Sequence, residues 1–60
     1  MIRCQIRLVS EDVRLETREL DAAPNLGDEL VVAGEGYVVA APPSDVVNGE
    51  AIVYVAKPPR

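Results

Sequence analysis

Histidine, tryptophan and phenylalanine do not occur in this chain, and cysteine and methionine occur once each. The missing histidine removes the commonest general base near neutral pH. With Cys4 as the lone cysteine, no disulfide can form within the chain, and a zinc site built from the usual nitrogen and sulfur ligands is excluded. Apolar runs are short as well, none approaching the roughly 18 residues that a bilayer span needs. The opening Met1-Ile2-Arg3-Cys4-Gln5 lacks the long apolar core of a secretory signal. These absences set the expectation of a cytoplasmic chain with no membrane partner, in keeping with a free thiol in a reducing compartment.

What is present is valine, alanine, leucine and isoleucine, with Tyr37 and Tyr54 as the aromatics. Such composition suits pleated, half-buried surfaces better than helices. The 60 residues make one small domain, 1–60. A chain of this size buries only about 60% of the surface that its unfolded form exposes, so an efficient β core or a partner has to make up the stability. Charge is unevenly placed. Residues 1–18 carry Arg3, Arg7, Arg14 and Arg18 against Glu11, Asp12 and Glu16, a net +1. Residues 19–56 carry Glu19, Asp21, Asp28, Glu29, Glu35, Asp45 and Glu50 with no base, a net −7, and Lys57 and Arg60 return +2. The basic footprint that nucleic-acid binding requires is missing from most of the chain. The acidic stretch reads as solvated surface or as a face for a basic partner.

Hydrophobic alternation predicts two hairpins. Ile2, Cys4, Ile6 and Leu8 alternate with Arg3, Gln5 and Arg7, and Val13, Leu15 and Thr17 alternate with Arg14, Glu16 and Arg18. The pattern selects a register with Leu8 opposite Leu15, Ile6 opposite Thr17 and Arg7 opposite Glu16, closed by a loop from Ser10 to Val13. The second hairpin runs Leu30-Val31-Val32-Ala33 to Tyr37-Val38-Val39-Ala40, turning at Gly34-Glu35 with Val32 opposite Tyr37 and Leu30 opposite Val39. Pro42-Pro43 ends that strand, Asn48-Gly49 marks a turn, and a last strand spans about Ala51 to Ala56 before Pro58-Pro59. The expected fold is all-β, a small five-stranded antiparallel barrel or curled sheet.

The later strands are apolar on both faces. Taking Val32, Tyr37 and Val39 as core sets Val31, Val38, Ala40, Val53 and Val55 outward as a contact surface, with Asp28, Glu29 and Glu35 as its charged rim. No catalytic, cofactor or metal site is expected. Ser10, Thr17 and Ser44 have no identifiable base, and Cys4 sits among inward positions where a thiol is inert. Glu11-Asp12 and Asp28-Glu29 lack the ligand spacing of a calcium loop. Gly34-Glu35-Gly36 has no lysine and no following helix, so it reads as a hairpin turn rather than a phosphate loop. Arg3, Arg7, Arg14 and Arg18 could line a stripe that meets phosphates, but Glu16 stands among them and no aromatic interleaves them.

The stretch Pro24-Asn25-Leu26-Gly27-Asp28-Glu29-Leu30-Val31-Val32, with Gly34 and Tyr37-Val38-Val39, resembles the P-x-x-G-D, strand, G-x-x-Y-x-V pattern of SH3-like small barrels. That family includes short accessory proteins of phages and bacteria. The resemblance covers residues 24–39 and implies a bent five-stranded barrel that binds a protein or nucleic acid through its loops or an edge. Lacking the aromatic groove of the peptide-binding members, the chain is not expected to take proline-rich peptides. The reading from these observations is a non-enzymatic protein-interaction module, possible as a phage or mobile-element accessory, binding another protein or its own copy and no small-molecule substrate. Two alternatives stand beside it: nucleic-acid binding through the four arginines, and an acidic mimic of nucleic acid that blocks a basic enzyme.

Overall fold

A computed structural model describes residues 1–58, so Pro59 and Arg60 of the expected chain end lie outside the described residues. Five strands form: β1 (Ile2–Leu8), β2 (Val13–Leu20), β3 (Glu29–Val32), β4 (Glu35–Val39) and β5 (Glu50–Ala56). They make one sheet in the order β2-β1-β5-β4-β3, curled into a half-barrel. The chain is all-β with five strands, as its composition implies. The sheet is mixed rather than antiparallel, because β1 and β5 run parallel side by side at its centre, with Cys4 opposite Ala51, Ile6 opposite Val53 and Leu8 opposite Val55. A strand with neighbours on both sides and a crowded setting reads as an apolar run, and β5 (Glu-Ala-Ile-Val-Tyr-Val-Ala) is such a run.

The first hairpin takes the register that simple alternation disfavours. Cys4 faces Arg18 and Ile6 faces Glu16, and a β-bulge then lets Arg7 face Arg14 and Leu8 face Val13. The bulge absorbs the extra residue at Leu15, which still packs on the core. Arg18 and Glu16 consequently point to the core side, and the expected outward pair of Arg7 with Glu16 does not form. The loop is Val9 to Asp12, one residue earlier than expected. Asp12 takes φ 54°, a left-handed conformation that aspartate tolerates. Arg7 holds it there, its Nε donating to Asp12 Oδ1 at 2.8 Å and its Nη2 to the Asp12 carbonyl at 2.8 Å.

The second hairpin is also tighter than expected. Its two-residue turn is Ala33-Gly34, with φ 53° and 83°, so Val32 faces Glu35 and Leu30 faces Tyr37. Positive φ at both positions defines a type I′ turn, whose twist matches that of the flanking strands. The shift of two residues leaves the inward set unchanged, since side chains alternate with period two. Before it, Asn25 to Asp28 forms a type II turn with Gly27 at φ 92°. The Asp28 N–H donates to the Asn25 carbonyl at 3.0 Å, and the Asn25 N–H to Asp28 Oδ2 at 2.9 Å.

From β4 the chain runs on beside β5 without regular pairing, because Pro42 and Pro43 have no N–H to offer. The Ala40 N–H donates to the Tyr54 carbonyl at 2.8 Å, and Ser44 grips Ile52 through both its N–H (3.2 Å) and its Oγ (2.8 Å). The excursion closes at the expected Asn48-Gly49 turn, where Val47 and Glu50 exchange both backbone bonds at 2.9 and 3.0 Å.

The core is drawn from Cys4, Ile6, Val32, Tyr37, Val39, Ala51, Val53 and Val55, all buried. Two of the expected contact residues, Val53 and Val55, are therefore misassigned: both are 0% exposed. The parallel register sets them beside Ile6 and Leu8, so Ile52 and Tyr54 take the outer face. Cavity-forming changes should follow this division. Val53→Ala should lower unfolding free energy by about 2 kcal/mol, while Val31→Ala, 61% exposed, should stay within about 0.5 kcal/mol of wild type, as read from urea unfolding midpoints.

Candidate functional site

The outer face of β1, β2 and β5 carries an open concavity. Its register rows are Glu19-Arg3-Glu50, Thr17-Gln5-Ile52 and Arg14-Arg7-Tyr54. Against this face stands the 44–48 segment, pinned by the Ser44–Ile52 bonds. Between them lies an open groove of about 970 Å³ lined by Arg3, Gln5, Arg14, Thr17, Ser44, Asp45, Val47, Asn48 and Ile52, among others. Val47 is 63% exposed and Ile52 36%, and Val46 beside them is exposed too. The groove thus has apolar patches on its floor and one wall, with charged and amide groups around them.

The charges there are held unequally. Arg3 reaches Glu50 at 3.6 Å and Glu19 at 3.9 Å, all three side chains largely in water, so these pairs contribute little. Arg7 is committed to Asp12 and also donates to Gln5 Oε1. Arg14 faces Arg7 directly, a like-charge pairing that costs stability. It makes no ion pair among the described residues. Arg14 is thus the groove's uncommitted cation.

Arg18 does not join this face. Its Nη2 lies 2.5 Å from Glu16 Oε2 and donates to the Val31 carbonyl at 2.5 Å, on the core side of the sheet. The stripe of four arginines is therefore three outward residues and one inward one, and the bulge at Leu15 is the cause. The expected contact set is likewise divided. Val31 and Val38 share the outer face of the second hairpin, each diagonal to the other across Gly36 and Glu29, and Ala40 is exposed just beyond β4. Glu29 lies on that face. Asp28 is tied into its turn, and Glu35 sits on the opposite face, where it accepts from Tyr37 Oη at 3.3 Å and meets Lys57 at 3.6 Å.

Ile52, Val47 and Arg14 as one groove escaped sequence reasoning. The available signal was the doubly apolar β5, whose two faces could not be told apart without its neighbours. Among the described residues, no three of His, Cys, Asp and Glu group as metal ligands. No family model matches this chain, and neither a curated protein nor a solved structure matches it.

Cys4 is 0% exposed, and burial pushes its thiol above the ordinary value by disfavouring the thiolate. The sign for stability follows. The contribution is fully present below the unfolded thiol's pKa and is lost as pH rises through the higher folded value. A thiol reagent at pH 8 should label Cys4 only at the rate of unfolding, and urea midpoints should fall at alkaline pH more in wild type than in Cys4→Ala.

Proposed function

We propose that this chain is a non-enzymatic protein-interaction module that docks a partner on the outer face of β1 and β5. The observation that carries the reading is the exposed Val47 and Ile52 standing in one groove with the uncommitted Arg14. Exposed apolar side chains rimmed by polar ones are the usual mark of a contact surface, and arginine is enriched in such surfaces. The groove offers a partner an apolar anchor point at Ile52 and a carboxylate-seeking group at Arg14. The SH3-like reading, with its implication of binding through loops or an edge, draws support from the Pro24 to Val39 segment, where Gly27 and Asp28 build the turn before the second hairpin. The parallel β1–β5 pair forms no part of that likeness.

Nucleic acid is the competing occupant of the same face, through Arg3, Arg7 and Arg14 beside Tyr54. Protein docking predicts a partner captured from host lysate by wild type and by Val31→Glu but lost with Ile52→Glu. It also predicts no saturable binding of labelled oligonucleotides at physiological salt. Oligonucleotide binding that weakens steeply between 50 and 200 mM salt, as counterion release demands, would sink it.

A further inference from the structure

The half-barrel leaves β2 and β3 as its two edges. Which backbone groups they leave unpaired follows from the alternation of bonding along each strand. Arg3 and Val9 bond toward β5 through their N–H groups, at 2.8 and 2.9 Å, so the odd residues of β1 serve β5 and the even ones serve β2. Arg18 and Glu16 then bond to Cys4 and Ile6, and the N–H and C=O of Thr17 and Glu19 point away from the sheet. On the other side, Val39 bonds toward the β3 side through Asp28 and Gly27. Tyr37 and Glu35 continue that series with Leu30 and Val32, so the backbone groups of Glu29 and Val31 face the free edge.

Those two edges meet across the opening of the curl. The Val31 carbonyl, one of the unpaired groups, is met at 2.5 Å by the Arg18 guanidinium from β2. An extended arginine carries its terminal nitrogens roughly 7 Å from its Cα, and neighbouring strands lie about 4.8 Å apart. One guanidinium spanning the opening therefore caps it, at this level, at about two strand spacings, room for at most one further strand. Burial points the same way. No residue of β2 is fully buried, and Leu15, Leu20 and Leu30 only partly cover the core from the two edges, while β1, β4 and β5 hold residues sealed from solvent.

We propose that the opening between β2 and β3 receives one extended segment of a partner protein, which completes the barrel by pairing with both edges. The incoming N–H groups take the Val31 carbonyl from Arg18, whose charge stays paired with Glu16. Because β2 and β3 run in opposite directions, the segment lies parallel to one and antiparallel to the other. Its inward positions are apolar, to cover Leu15, Leu20 and Leu30. The occupant is a free segment rather than a folded second copy, whose edge strand would bring its own sheet into a space at most one strand wide. This site shares Thr17 with the outer groove but does not rest on docking there.

The test uses the full chain, isotopically labelled, titrated with a short synthetic peptide alternating valine and threonine between terminal lysines. The proposal expects amide shifts and slowed hydrogen exchange at Thr17, Glu19, Glu29 and Val31, with Val47 and Ile52 unmoved. Arg18→Met keeps the apolar stem and removes the competing donor, so it should bind the peptide roughly tenfold more tightly. Thr17→Pro, which removes an outward N–H from an edge, should abolish the effect while the far-ultraviolet spectrum stays β. Shifts at Val47 and Ile52 without any at Glu19, Glu29 and Val31, no edge shifts up to millimolar peptide, or equal affinity in wild type and Arg18→Met would each overturn the proposal. Should Arg18→Met fail to fold, Thr17→Pro decides alone, with unchanged binding counting against it.

Discussion

The parallel pairing of β1 with β5 holds the two halves of this molecule together. Each hairpin is local and could not stand alone in water, since a two-stranded ribbon has no partner for its apolar face. Setting β5 beside β1 joins them and brings Cys4, Ile6, Ala51, Val53 and Val55 into one layer, with Val39 and Tyr37 continuing it across β4. Five of those side chains, on β1, β4 and β5, are the most completely enclosed in the described structure. Because the two paired strands are the first and the last, this contact closes almost the whole chain into a loop. Its closure entropy must be repaid by side chains that are small but wholly buried.

From that central pair, the rest of the geometry follows by position. The outermost strands lie farthest from the layer and are the least covered, and they need a defence against unwanted pairing. A bulge at Leu15, charges turned inward at Glu16 and Arg18, and a four-residue β3 are devices of that kind. The inward Arg18 is affordable because it is not isolated. Glu16 pairs with it, the Val31 carbonyl accepts from it, and its side chain stays 32% exposed, so the guanidinium keeps both partners and water.

Much of this was legible in the residues, and the failures share a cause. Strand positions, the Asn48-Gly49 turn and the inward sets of β1, β3 and β4 followed from period-two alternation and turn chemistry. Register did not. Alternation treats an inward charge as an error and so sets Arg18 and Glu16 outside, and the bulge that turns them inward has no signature beyond the residues it displaces. Ala33 in a left-handed turn position is similarly unmarked, because glycine or asparagine is the usual occupant. The parallel pair was hidden by β5 itself. With Ala51, Val53 and Val55 on one face and Ile52, Tyr54 and Ala56 on the other, only the neighbouring strand decides which trio is core. That one choice inverted the contact surface, moving Val53 and Val55 inside and Ile52 out.

The inversion also bears on the proposed docking role of so small a chain. With Val53 and Val55 in the core, the large apolar side chains left in water are scattered: Met1, Val9 and Val13 about the first hairpin, Leu26 in the turn before β3, Val31 on the second hairpin, Val46 and Val47 on the loop, Ile52 on β5. Such a set does not amount to the broad apolar face of an obligate complex, which buries more than about 2,000 Å². Under the proposed docking role, affinity has to come from something other than area. Backbone groups at a sheet edge are one source, because each bond formed there replaces a solvated donor or acceptor without requiring a particular side chain. A few anchors such as Ile52 are the other. Both use groups that take no part in packing the core layer: outward backbone of the edge strands and a side chain on the outer face of β5. Contact at either place can therefore change without disturbing the closure on which the fold depends.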